Sequence, residues 1–274
     1  MPDSEASPIT RRQLLADFGA AATASFTAAP LVTTIDSAIT KTAANAGTAL
    51  GPAILKEAAV LRRQPMSYIT SVPNRWLFML FFGTFFPANI ADTCSHALGI
   101  SPTVPVLLAS TTGNMLMSSA KDFAFARRFS VAPPRAAPLA MLLCFLLRDG
   151  LSSAAFFTMP PRLSSELQAR VGWSRGTSDV AAQLVMPVAM QVPCSPLHLL
   201  GLDVYNTPHA SPVERLTRVA QQLPATTAAR AIRIVPAFGL GGILNKRMRH
   251  RLARGGASAD PSQSHTASAA HPRG

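Results

Sequence analysis

Residues 14–41 read LLADFGAAATASFTAAPLVTTIDSAITK, and this stretch decides the fold. It is built almost wholly from Ala, Thr, Ser, Leu and other apolar residues, a helix-forming composition in which Pro30 predicts a kink rather than a stop. It exceeds the ~20 residues that cross a bilayer core. Gly19 and the many Ala, Ser and Thr residues predict a small-residue face, which lets helices approach closely in lipid. The stretch also carries an acid near its end, Asp36, followed by Lys41.

That ending recurs. Asp122 and Asp203 follow Asp36 at separations of 86 and 81 residues, each late in an apolar segment. A second apolar segment follows each of them, so the chain reads as three pairs of helical segments at about 14–41, 73–98, 104–129, 139–160, 180–206 and 228–246. The expected fold is an all-α membrane protein with six transmembrane helices in three pseudo-repeats, residues 13–98, 99–160 and 178–250 of a domain spanning 13–250. Residues 1–12 are expected to be a disordered N-terminus, with neither signal-peptide nor transit-peptide character, so that any targeting information is internal. Residues 255–274 are small and polar and are expected to be a disordered tail.

Composition supports a membrane. Hydrophobic residues make up 48% of the chain and charged ones 14%, against about 25% charged in ordinary soluble domains. Mean hydropathy is only +0.24, and no 18 apolar residues run uninterrupted, so the reading rests on the whole pattern. The net charge of +12 invites a nucleic-acid partner. The basic residues instead lie mainly between apolar segments (Lys56, Arg62, Arg63, Arg75, Arg127, Arg128, Arg135, Arg215, Arg218, Arg230) and in a tail from Lys246 to Arg254, as in the flanking loops of membrane proteins. No nucleic-acid partner is expected, and the basic tail is expected to meet anionic membrane lipid. Residues 52–65 and 211–224 read as short amphipathic helices at the interface.

Ionisable residues inside apolar runs mark candidate solute contacts. Asn89, Asp92 and His96 share one helical face of the second segment, Asn114, Ser118 and Lys121 one face of the third, and Arg148 and Asp149 interrupt the fourth. Asn89, Asp92, Arg148, Asp149, Asn114 and Lys121 are the candidate substrate-binding residues. The competing reading is that Arg148 pairs with Asp149 or Asp92 and specifies packing alone. Cys94, Cys144 and Cys194 form no CxxC pair and lie in apolar segments, and neither Cys94 with His96 nor Cys194 with His198 makes a metal site. The chain carries no GxSxG, HExxH, GxGxxG or P-loop motif, so no enzyme activity, cofactor or metal is expected.

Three repeats of helix, connector and helix, with Pro30, Asp36 and Lys41 in the first, Asp122 and Arg127 in the second and Pro196 and Asp203 in the third, resemble the mitochondrial carrier family. AAPLVTTIDSAI, SPLHLLGLDVYN and RIVPAFGLGGILNKR are also similar to carrier-like proteins of microbial eukaryotes. The resemblance implies a carrier-like bundle in the mitochondrial inner membrane that moves a small-molecule solute. It also implies a gate built on Asp36, Lys41, Asp122, Arg127 and Asp203. The second repeat lacks the proline and the third the base, and spacings of five place Asp36 and Lys41, or Asp122 and Arg127, on different helix faces. A non-transporting structural or assembly factor with the same fold is the alternative expectation.

Overall fold

Helix α1 (Arg11–Ala44) begins three residues ahead of the expected Leu14, because Thr10 and Gln13 form a capping box. The Gln13 amide donates to Thr10 Oγ1 at 3.2 Å and the Thr10 amide to Gln13 Oε1 at 2.8 Å. The computed structural model describes residues 8–45, 48–131, 133, 135–155 and 159–254. The expectations for residues 1–7 and 255–274 therefore lie outside the described residues.

After α1 come α2 (Leu50–Arg63), α3 (Pro65–Ile69), α4 (Val72–Ala97), α5 (Thr103–Phe129) and α6 (Leu139–Ser153). The second half comprises α7 (Met159–Val171), α8 (Arg175–Ala189), α9 (Gln191–Asn206), α10 (Pro212–Ile232), a π-helical segment Val235–Leu240 and α11 (Gly241–Arg254). Every regular element among the described residues is helical.

The central element is α1. It packs on α4 and α11 and also touches α2, α5, α9 and α10. Ala20, Ala21, Ala24, Ala28 and Ala29 are all fully buried, so the small face expected from composition is where neighbours close in. Its hydroxyls fold back on the helix: Ser25 Oγ donates to the Ala21 carbonyl and Thr33 Oγ1 to that of Ala29, both at 2.7 Å. Those two buried hydroxyls thereby find an acceptor within their own helix, and Thr33 also meets Asn74 Oδ1 of α4 at 3.2 Å.

Helices α4 and α5 form an antiparallel hairpin, turned at Gly99, whose φ of 66° is the left-handed geometry that closes a helix C-terminus. Their crossing is set by two glycines: a Cβ built on Gly113 would stand 1.9 Å from the Gly83 carbonyl oxygen. Gly19, the glycine singled out from sequence, plays a smaller part, as do two glycines at the start of α11. Gly19 meets Leu252, Gly241 meets Ala28 and Phe85, and Gly242 faces open space.

Among the described residues, four stretches are long and apolar enough to cross a membrane: Arg11–Ala44, Val72–Ala97, Arg175–Asn206 and Pro212–Leu252. The six spans in three repeats are not reproduced by this measure. Helix α5 has 27 residues, but its stretch 110–119 is rich in Ser, Thr and Asn and dilutes its hydropathy. Helix α6 is apolar but has 15 residues, about 22 Å, short of the ~30 Å hydrocarbon core. The amphipathic stretch at 211–224 runs through Pro224 into the first residues of the sixth segment as one helix, α10, a proline tolerated where neighbours satisfy the freed backbone groups.

Candidate functional site

Charge lies inside this bundle and large apolar side chains lie outside it. Lys121, Asp122, Arg148 and Asp149 are at most 3% exposed, while Leu147, Leu184 and Val192 are each more than 60% exposed. That inverts the distribution of a water-soluble protein and is the arrangement expected in lipid.

The buried charges form one connected layer across α1, α5, α6, α9 and the end of α10. Lys121 Nζ bridges Asp36 at 2.6 Å and Asp122 at 2.5 Å. Arg148 pairs with Asp122 and, at 2.6 Å, with Asp149. Arg148 also donates to Ser118 Oγ at 3.1 Å and lies 2.8 Å from His198 Nδ1. A guanidinium can only donate, so Nδ1 accepts and the imidazole proton sits on Nε2. Arg233, just beyond α10, reaches Asp36 at 2.5 Å.

Beside this layer, at the middle of α1, lies a cavity of about 60 Å³, against the ~10–15 Å³ that holds one water. Val32, Leu80, Phe81, Ile234 and Ala237 form its apolar wall. Asn114, Ser118, Asp149, Ser152, Gln191, Arg230 and Arg233 supply polar groups of both charges and two amides. Toward the N-terminal end of α1 the cavity meets an apolar layer that includes Ala24, Ala28 and Phe85. Beyond it opens a vestibule of about 750 Å³ lined by Asp17, Asn89, Asp92, Thr93, His96, Asn245, Lys246 and Arg249. Arg249 crosses from α11 to Asp17 on α1 and Asp92 on α4, both at 2.5 Å, and Asn89 pairs with Asn245.

The six expected solute contacts thus fall in two places. Asn114 and Asp149 line the central cavity and Lys121 and Arg148 the adjoining ion layer, whereas Asn89 and Asp92 lie in the vestibule, about 13 Å away along α4. Arg148 pairs with Asp149 and Asp122. Of the expected gate residues, Asp36 and Asp122 belong to the ion layer. Lys41 pairs instead with Glu57 on α2, Arg127 is exposed, and Asp203 takes Arg215 at 2.7 Å and Arg218 at 2.6 Å from α10. Outside the spans, Tyr68 donates to Glu57 at 3.4 Å, and its burial and that carboxylate push its phenol above the ordinary value.

Sequence reasoning passed over Asp17, Gln191 and Arg233 and read Arg230 and Arg249 as flanking basic residues, whereas Arg230 is buried at the cavity and Arg249 is paired in the vestibule. A signal existed for three of them: Asp17 is an acid in an apolar run, and Arg230 and Arg233 stand at i, i+3 inside ARAIRIVP, at the start of the sixth apolar segment.

The match of a family model described as "probable citrulline exporter" to residues 20–253 covers every residue lining the cavity, and all of the vestibule except Gln13, Ala16 and Asp17 in the first turns of α1. The chain belongs to the probable citrulline exporter family. A search of curated proteins finds no match. Membership in the probable citrulline exporter family overturns the resemblance to mitochondrial carriers, for which no family match was found. The three-acid spacing that carried that resemblance has a different basis here. Asp36 and Asp122 take partners from distant helices, and Asp203 pairs with α10, so the three do not close one ring. As a member of the probable citrulline exporter family the protein is a membrane transporter.

Proposed function

We propose that the protein exports a small polar solute through the central cavity, and that the solute is a neutral amino acid with a ureido side chain, the class to which citrulline belongs. One observation carries the reading. A single cavity presents a carboxylate (Asp149), guanidiniums (Arg230, Arg233) and two amides (Asn114, Gln191) around an apolar wall. A zwitterion with a trimethylene stem and a ureido end offers a complement to each of these groups. The family's description points to the same compound.

The cavity is bounded on one side by the ion layer and on the other by the apolar layer at Phe85, so each boundary is a candidate barrier in alternating access. Parting the ion layer exposes paired charges that water can solvate. Parting the apolar layer joins the cavity to the vestibule, where Asn89 and Asp92 meet the solute after it leaves. Exposed Lys246, Arg247 and Arg251 supply the contact with anionic lipid. The compartment expected from the sequence, the mitochondrial inner membrane, rested on the carrier resemblance alone, and tagged protein in cell fractions is the direct way to assign it.

The test is efflux of labelled citrulline from proteoliposomes. Saturable efflux is expected, falling by about tenfold or more in Asp149→Asn, which keeps the shape but removes the charge that meets an ammonium. A folded protein with no saturable efflux of citrulline or related amino acids would move the assignment to a structural or assembly factor.

A further inference from the structure

Around the central cavity the described charges do not cancel. The buried groups Asp36, Asp122, Asp149, Lys121, Arg148 and Arg230 balance three to three, and half-buried Arg233, which reaches in to Asp36, brings the described cations to four. Each carboxylate is taken: Asp36 by Lys121 and Arg233, Asp122 by Lys121 and Arg148, Asp149 by Arg148. Arg230 receives none of them.

Arg230 is 2% exposed and lines the cavity. Its one hydrogen bond among the described residues runs from Nε to Gln191 Oε1, at 3.1 Å. Gln191 is itself fixed, its Nε2 donating to the Pro187 carbonyl at 2.9 Å. The two terminal nitrogens make no hydrogen bond to any described residue. A buried guanidinium with an open fork is costly unless an anion fills it, and the group that fits it in two parallel hydrogen bonds is a carboxylate. On the same cavity Asp149 Oδ1 takes Arg148 and Ser118, while Oδ2 is held, among the described residues, by Ser119 alone at 3.3 Å.

Resting on the reading of this cavity as the solute site, we propose that Arg230 is the carboxylate-binding residue of the transporter, and that a free carboxylate is obligatory in what it carries. Asp149 Oδ2 takes the ammonium when the solute has one. The charge excess ranks the two contacts. The carboxylate neutralises the single unpaired cation, whereas the ammonium shares an acid already paired, so removing the carboxylate weakens binding more than removing the amine.

The experiment is binding to the purified full chain in detergent, by thermal shift and calorimetry. Its probes are citrulline, citrulline amide, the des-amino analogue 5-ureidopentanoate, and plain acetate and butyrate. The amide is expected to bind about tenfold to hundredfold more weakly than citrulline, the loss of a charged hydrogen-bonding pair, and the des-amino acid to lose less. This comparison uses wild-type protein, so misfolding of a variant cannot obscure it. Arg230→Lys, which keeps the charge and removes the fork, is expected to keep the melting temperature of the unliganded protein and lose the preference for the free acid. Equal binding of acid and amide, or no response to any carboxylate, overturns the proposal. Citrulline transport undiminished in Arg230→Lys and Arg230→Gln overturns it while leaving the function above standing. Simple carboxylates that stabilise wild type but not Arg230→Gln, with citrulline inert, uphold Arg230 and reject citrulline as the solute.

Discussion

At Gly113 the added Cβ of an alanine would enter the backbone of α4, 1.9 Å from the Gly83 carbonyl oxygen. The only relief is separation of the two helices along their whole contact. Gly113→Ala is therefore expected to cost about 3 kcal/mol or more, the upper range for overpacking, read as a lowered unfolding midpoint in detergent. Gly242→Ala, with nothing within 4 Å of the new carbon, is the control and should leave the midpoint unchanged or raised. The contrast shows what was legible at this scale. Asp36, Asp122, Arg148 and Asp149 stand out in the sequence because charge in an apolar run is expensive. Lys121 stands out for the same reason, but the long-range pairings do not, because Lys121 reaches Asp36 across 85 residues and Arg233 reaches it across 197, and spacing along one helix carries no information about another. Gly83 and Gly113 were invisible for the same reason, since the need for a glycine arises only where two helices cross.

The element whose position depends most on single side chains is α11. It follows a π-helical segment whose Ala237 lines the central cavity, and Gly241 sits against Phe85 and Ala28. Its far half is held by Arg249, which ties it to both α1 and α4, and by Asn245 against Asn89. Replacing Arg249 by Leu leaves Asp17, 1% exposed, with only Thr93 for its carboxylate. The expected cost is about 2–3 kcal/mol, and it should be local: amide exchange over residues 241–252 rises while that of α6 stays the same. Uniform exchange changes would mean that α11 is not a separately anchored element. Helix boundaries were legible to within one residue at the starts of α4 and α10, but not at α1, whose capping box at Thr10 went unread. They were misread at Pro224, where a residue that ends helices in water sits within a continuous one.

For the whole molecule the decisive feature is polarity turned inward, and it predicts behaviour before any substrate is known. The protein should sediment with membranes, resist extraction by alkaline carbonate and dissolve only in detergent; release by carbonate would contradict that burial pattern. Composition and segment lengths made the helical, membrane-embedded class legible. The number of crossings was not, because α5 and α6 carry site residues whose polarity and length depart from an ordinary span. One contact has a bearing on that number. Leu252 packs on Gly19, and Arg12 donates to the Leu252 carbonyl at 3.4 Å, so the two ends of the described chain emerge on the same face of the bundle. A polypeptide that leaves a bilayer on the side it entered has crossed it an even number of times. Reporters fused before residue 8 and after residue 254 therefore sit in one compartment, close enough for two halves of a split fluorophore to find each other.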